Sequence, residues 1–265
     1  MIPADLTPLR ATPGPLPPAG TPTVARIALP PGRPITAASI GGDGVWATDE
    51  AVRSRGDLIP RLQAAFPVTG LWPMALEDRP HDDDWPRGWP SLEAGPEPRS
   101  AEEFLHHEWD MNVGPGSEYQ DEWDVAFRPW PGLRTPTTPG TRAQLKDRAV
   151  RQLLDQPGRL VLVPTPRPED VFLVLGPMAY NGRPGPRETT AVLRSWGDRY
   201  GVLPVGFSFD TMALVVRRPP RSPAEAHGAG VELKAFCSDM FTNYETKDDV
   251  TTFMTDATTW EFWWD

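Results

Sequence analysis

Arg159-Leu-Val-Leu-Val-Pro164 holds a short, wholly apolar core, Leu160-Val-Leu-Val163, rich in β-branched residues and stopped by a proline. That is the pattern of a strand buried on both faces. Working outward, Pro168-Glu-Asp170 places a proline at a first helical position and two carboxylates in a first turn, with Gly176 as the stop. The composition of Val171-Phe-Leu-Val-Leu175 suits a second strand and its flanks suit a helix; the flanks decide for a helix. In 188–200, Val192, Trp196 and Tyr200 recur every fourth residue with Leu193 beside them, so one helix face is apolar, and Gly201 is its left-handed terminator.

Leu203, Val205, Phe207 and Phe209 then alternate with Pro204, Gly206 and Ser208, a strand with one core face. Asp210-Thr211 turns the chain, and Met212, Leu214 and Val216 alternate again, giving a hairpin. Ser222-Pro-Ala-Glu225 is a capping box with proline at the first helical position, opening a helix that reaches Phe236. Val250, Phe253 and Met254 mark one more short helix, and Trp260, Phe262 and Trp264 share one face of a terminal strand. The order strand, helix, helix, hairpin, helix, helix, strand predicts an α+β fold, with helices covering one face of a largely antiparallel sheet.

The run Leu193-Arg-Ser-Trp-Gly-Asp-Arg-Tyr-Gly201, followed by Phe209-Asp-Thr211, Arg218-Pro-Pro220, Ala235-Phe-Cys-Ser-Asp239 and Trp260-Glu-Phe-Trp-Trp-Asp265, resembles domain of unknown function 4253. The resemblance covers the C-terminal part and, more loosely, 45–76. The family is of an actinobacterial type, often in multiple copies per genome. It has no established activity, so the resemblance implies a fold and little chemistry. Two positions depart from its pattern. Ser238 stands where the family has proline, and Leu233-Lys234 stands where it has a Glu-His-type pair.

The first half reads differently. The chain has 265 residues, with 34 prolines and 23 glycines concentrated towards its start, near the level at which irregular segments are expected. Residues 1–35 form a Pro-rich extended arm with one short strand at Val24-Ala-Arg-Ile-Ala-Leu29. Residues 36–140 comprise a small strand–helix–strand unit and a long irregular segment rich in tryptophan and acid. In the unit, Gly44-Val-Trp-Ala-Thr48 is a strand, 58–66 a helix, and Thr69-Gly-Leu-Trp-Pro-Met-Ala-Leu76 a strand whose Gly70 and Pro73 signal a bulge or an edge. This unit either abuts the main sheet or begins a separate lobe. Within the irregular segment Ser100-Ala-Glu-Glu103 is a second capping box, opening a helix over 100–108. Residues 141–265 form the α+β domain, entered through a helix over 141–154.

The formal net charge is −10. An acidic surface repels phosphate backbones, so nucleic acid is excluded as a general partner and a basic protein suits. No apolar run approaches the roughly 20 residues of a membrane-spanning helix. The start, Met1-Ile-Pro-Ala-Asp5, lacks the basic and apolar regions of a signal peptide. A cytoplasmic location with no membrane partner is therefore expected.

Three groups of residues carry chemistry or recognition. His106-His107-Glu108-Trp-Asp110, with His81 and Asp82-Asp83-Asp84 further off, is the densest set of metal-ligand types. Adjacent His106 and His107 point about 100° apart on a helix, so only His106 and Asp110 share a face and no third ligand follows. No metal and no cofactor is expected. Cys237, beside Asp239, is the single cysteine. A nucleophilic role needs a base within reach, and His227 lies ten residues back, about 15 Å along a helix. Asp210 reads as a turn former. The third group is Asp82, Asp83, Asp84, Trp85, Trp89, Trp109 and Trp123, charge and aromatic anchors together. The expected function is thus a protein-binding module, in its most concrete form an immunity protein neutralising a basic toxin. The alternative is an enzyme or metal-dependent protein using His106, Asp110 and Cys237.

Overall fold

The computed structural model describes residues 8–37, 40, 42–53, 55–77, 100–112, 130–136, 154, 158–176, 184–240 and 246–264. The first strand quoted above, β6 (Gly158–Pro164), lies inside a seven-stranded sheet. The other strands are β3 (Gly32–Ile35), β4 (Val45–Thr48), β5 (Leu71–Glu77), β7 (Val202–Phe207), β8 (Thr211–Val216) and β9 (Thr259–Trp263). Their order is β3-β4-β6-β5-β7-β8-β9, antiparallel at every pairing except β5 with β7. The strand–helix–strand unit thus belongs to the main sheet, with β6 seated between its two strands. A separate two-stranded hairpin, β1 (Thr23–Val24) and β2 (Ile27–Ala28), precedes it. The fold is α+β with a mostly antiparallel sheet.

Strict alternation on β4, β5 and β6 sorts side chains between two cores. Val45, Ala47, Trp72, Met74, Leu76, Val161 and Val163 face the larger one. Trp46, Leu71, Ala75, Leu160 and Leu162 face the smaller. Both sets are buried, as the apolar run of β6 predicts.

The larger core is roofed by α2 (Ala101–Asn112), α3 (Phe172–Leu175), α4 (Pro186–Tyr200), α5 (Pro223–Phe236) and α6 (Lys247–Met254), each supplying apolar residues to it. A short 3-10 turn, Pro168–Asp170, leads into α3, which is the helical choice made from its flanks. The expected caps are in place. Ser222 and Glu225 bond reciprocally at the start of α5, Ser100 and Glu103 do so at α2, and Gly201 closes α4 at φ 64°.

Four local expectations are corrected. Helices do not cover one face alone: Ile59 and Leu62 of α1 (Arg55–Thr69) pack in the smaller core, with Ile27 and Leu29 of the arm beside them. The arm has little helical or strand periodicity, so nothing in its pattern marks it as a core layer. Val24-Ala-Arg-Ile-Ala-Leu29 is a hairpin rather than one strand, because Ala25 and Arg26 both take left-handed backbone, at φ 46° and 65°. Pro73 sits in an interior strand. The parallel ladder from β5 to β7 starts only at Ala75, and Trp72 Nε1 donates to the Pro204 carbonyl at 2.8 Å across the gap ahead of it. Finally, β7 is buried on both faces, and a bulge between Pro204 and Gly206 breaks its alternation, so Val205 joins the smaller core while Phe207 joins the larger. The expected helix over 141–154 lies outside the described residues except Leu154, which is buried.

Candidate functional site

The densest polar constellation lies between α4 and α5. The four-residue spacing of Val192, Trp196 and Tyr200 turns all three inward, and all three are fully buried. Trp196 packs edge-on to Phe236 and Trp260 and stacks on Phe262, at centroid distances of 5.1, 5.4 and 5.7 Å. Its indole Nε1 donates to Glu232 Oε2 at 2.8 Å. Arg199, one residue before Tyr200, reaches the same carboxylate with both terminal nitrogens, Nη1 to Oε1 at 2.8 Å and Nη2 to Oε2 at 2.6 Å. The backbone N–H of Arg134 adds a fourth bond to Oε1 at 2.9 Å.

Glu232 is fully buried. A carboxylate has about four lone-pair sites, and here four donors occupy them. That arrangement spends the acceptor sites of the group inside the fold. Tyr200 is no better placed as an acid: burial, reinforced by the charge of Glu232, pushes its phenol well above the usual range. The chemistry available to this group is therefore that of an internal brace.

A second brace ties the turn before α3 to α4. Asp170 takes two bonds from Arg194, at 2.6 and 2.9 Å. Arg167 bridges Glu169 at 3.2 Å and Asp198 at 2.9 Å. Burial raises the pKa of Glu169.

Cys237 follows the last residue of α5, 1% exposed, and its Sγ donates to the Trp263 carbonyl at 3.1 Å. Burial, then the nearby charge of Asp239, pushes the thiol up to about 12. Such a thiol is protonated at neutral pH and is no nucleophile. Asp210 is the turn former its sequence suggests, and more. Its side chain accepts from Ser208 Oγ at 2.8 Å and from Trp263 Nε1 at 3.2 Å, and its carbonyl accepts from Trp264 N–H at 2.9 Å, so the hairpin turn also anchors β9.

His106 and Asp110 do share a face of α2, Nε2 to Oδ2 at 3.5 Å, both exposed. Among the described residues no group of three or more metal-ligand side chains converges. Trp109, expected as an exposed anchor, is 2% exposed and lies against Trp130. The amphipathic turn that carries His106 and Asp110 outward carries Trp109 inward. Asp82, Asp83, Asp84, Trp85, Trp89 and Trp123 lie outside the described residues, as does His81.

Each motif that carries the family resemblance has thus found a place in the packing of the C-terminal part. Residues 159–265 match the family model of DUF4253, a domain of unknown function. No curated protein and no solved structure matches the chain. Within the DUF4253 part, Trp196, Arg199 and Tyr200 come from the first motif, and Asp210 from the second. The Arg218 backbone N–H of the third donates to the Tyr200 carbonyl at 2.8 Å. Phe236 and Cys237 belong to the fourth motif, and Trp260, Phe262 and Trp264 to the last.

Sequence reading did not single out Glu232; it took Glu169 and Asp170 only as first-turn carboxylates and Arg199 only as part of a motif. Arg199 and Glu232 are 33 positions apart on separate helices, so no local spacing pairs them. One signal was present: a glutamate late in a helix whose other residues are almost all apolar or small, directly before the Leu233-Lys234 departure.

Among the described residues no helix is long and apolar enough to cross a membrane.

Proposed function

We propose that this protein acts by binding another protein, that the partner is basic, and that the concrete form of this role is neutralisation of a basic toxin in the cytoplasm. The observation that carries the reading is the state of Cys237. The side chain around which the enzymatic alternative was built is buried, hydrogen-bonded and held protonated. Glu232 is likewise saturated by its donors. His106 and Asp110 sit on the outer face of α2. With the reactive groups spent inside the fold or dispersed, recognition is the better account of a chain with a net charge of −10.

The binding stretch proposed is Asp82, Asp83, Asp84, Trp85, Trp89 and Trp123. Acidic residues there accelerate encounter with a basic surface, and the tryptophans supply the lasting contact. Trp109 is withdrawn from this set, because a core residue cannot anchor a partner.

The test is isolation of a partner from the native host, followed by association kinetics. Converting Asp82, Asp83 and Asp84 together to Asn should slow association and flatten its salt dependence. Trp85→Ala and Trp89→Ala should mainly speed dissociation. Recovery of no protein partner, together with small-molecule turnover that depends on Cys237 or His106, would replace this reading with the enzymatic one.

A further inference from the structure

Residues 130–136, Trp-Pro-Gly-Leu-Arg-Thr-Pro, form a strap that lies outside the DUF4253 match and yet is held by it. Three side chains of the domain bond to the main chain of the strap. Glu232 accepts from the Arg134 N–H at 2.9 Å, Arg199 Nη1 donates to the Arg134 carbonyl, and Arg218 Nη2 donates to the Pro136 carbonyl. Side chains of the strap also touch the domain and α2 beside these bonds. Leu133 and Trp130 pack against the larger core, and the Trp130 ring stacks on His106 at 5.8 Å. The stem of Arg134 lies flat on Gly228 of α5, where an added Cβ would come within 2.3 Å of its Cγ. Main-chain bonds for affinity with pockets for selected side chains is the way proteins capture extended peptides.

The buried carboxylate of the seat is held mainly from within the domain rather than by the strap. Without it Glu232 keeps three of its four bonds, all from Arg199 and Trp196 within the domain. We propose that this surface of α4 and α5 is a peptide-binding site. Its occupant here is the chain's own segment 130–136, which exchanges with an extended, proline- and arginine-containing segment of a partner protein. The seat is distinct from the acidic stretch at 82–89 and the inference stands without it. Tethering gives the resident segment an effective concentration in the millimolar range, so a free peptide competes poorly until the strap is loosened.

The probe is a fluorescent peptide of sequence Trp-Pro-Gly-Leu-Arg-Thr-Pro, titrated into the full chain and into a variant carrying Leu133→Gly and Pro136→Gly. The loosened variant should bind the peptide at least about tenfold more tightly than the parent, because its competent fraction is larger. Adding Gly228→Ala, which favours the helix but fills the space under Arg134, should remove that binding. Adding Arg218→Ala should weaken it about tenfold, the loss of one charged hydrogen bond. A folded loosened variant that binds no peptide, or binds it regardless of Gly228→Ala and Arg218→Ala, overturns the proposal. Should the loosened variant not fold, hydrogen exchange on the parent decides. The Arg134 amide should exchange about 100-fold or more faster than the Leu162 amide of β6, through local release of the strap; equal protection of the two overturns it.

Discussion

The two faces of the sheet are built from different material. The roof over one face is aromatic and charged: Trp196, Tyr200, Phe236, Trp260, Phe262 and Trp264 interlock there, and Arg199 with Glu232 is buried among them. The floor under the other face is aliphatic: Ile27, Leu29, Ile59, Leu62, Leu71, Leu160 and Leu162, with Trp46 as its large aromatic ring. Aliphatic contact is non-directional and tolerates adjustment. Saturated hydrogen bonds and edge-on rings fix one arrangement. The roof therefore specifies how the helices sit, while the floor chiefly excludes water. It follows that the residues which make the DUF4253 part recognisable are concentrated where geometry is demanded, which need not be where chemistry is performed.

The contrast is broken most forcefully at Trp196. Replacement by Ala removes three ring contacts and a bond to Glu232, and should cost about 3–5 kcal/mol, read as a lowered urea midpoint. A variant melting within a degree or two of the parent would remove Trp196 from the roof's framework.

Acid should attack the roof next. Burial, with Lys247 and then Arg134 nearby, lowers His227 to about 4 from its ordinary 6.5. The unfolded chain takes up a proton as pH falls through 6.5 and the folded chain does not until about pH 4. Stability contributed by neutral His227 is thus complete above pH 6.5 and declines towards pH 4. Melting curves of the parent and His227→Gln should converge in that window as the parent loses its advantage. Parallel curves would show that the imidazole titrates normally.

On the floor, Ile27→Ala should cost about 2 kcal/mol, the low end for a buried Ile, since the two-residue strand that carries it can settle into the space. A loss as large as that of Trp196→Ala would show the floor to be as specifically packed as the roof.

Much of the roof was legible in the sequence because its elements announce themselves locally. Ser222 and Glu225 mark a helix start, Gly201 marks an end, and Trp260, Phe262 and Trp264 alternate down one face. The arm's share of the floor was not, since a proline-rich segment reaches its place through isolated contacts such as Trp46 Nε1 to the Pro18 carbonyl at 3.2 Å. The bulge at Val205 and the interior position of Pro73 depend on neighbouring strands, so local pattern places them wrongly. The same limit explains the site. Cys237 and His106 attract notice as reactive types, whereas the Arg199–Glu232 brace exists only once α4 and α5 are packed.

The central claim, that the polar residues of the DUF4253 part hold the fold, is tested most directly by urea unfolding of Arg199→Met, Glu232→Met and the double variant. Each single change leaves a charge buried without its partner and should cost about 3–5 kcal/mol, while the double should recover most of that loss. If both single variants instead unfold at the parent's midpoint, the pair is not bracing the fold and the claim is wrong.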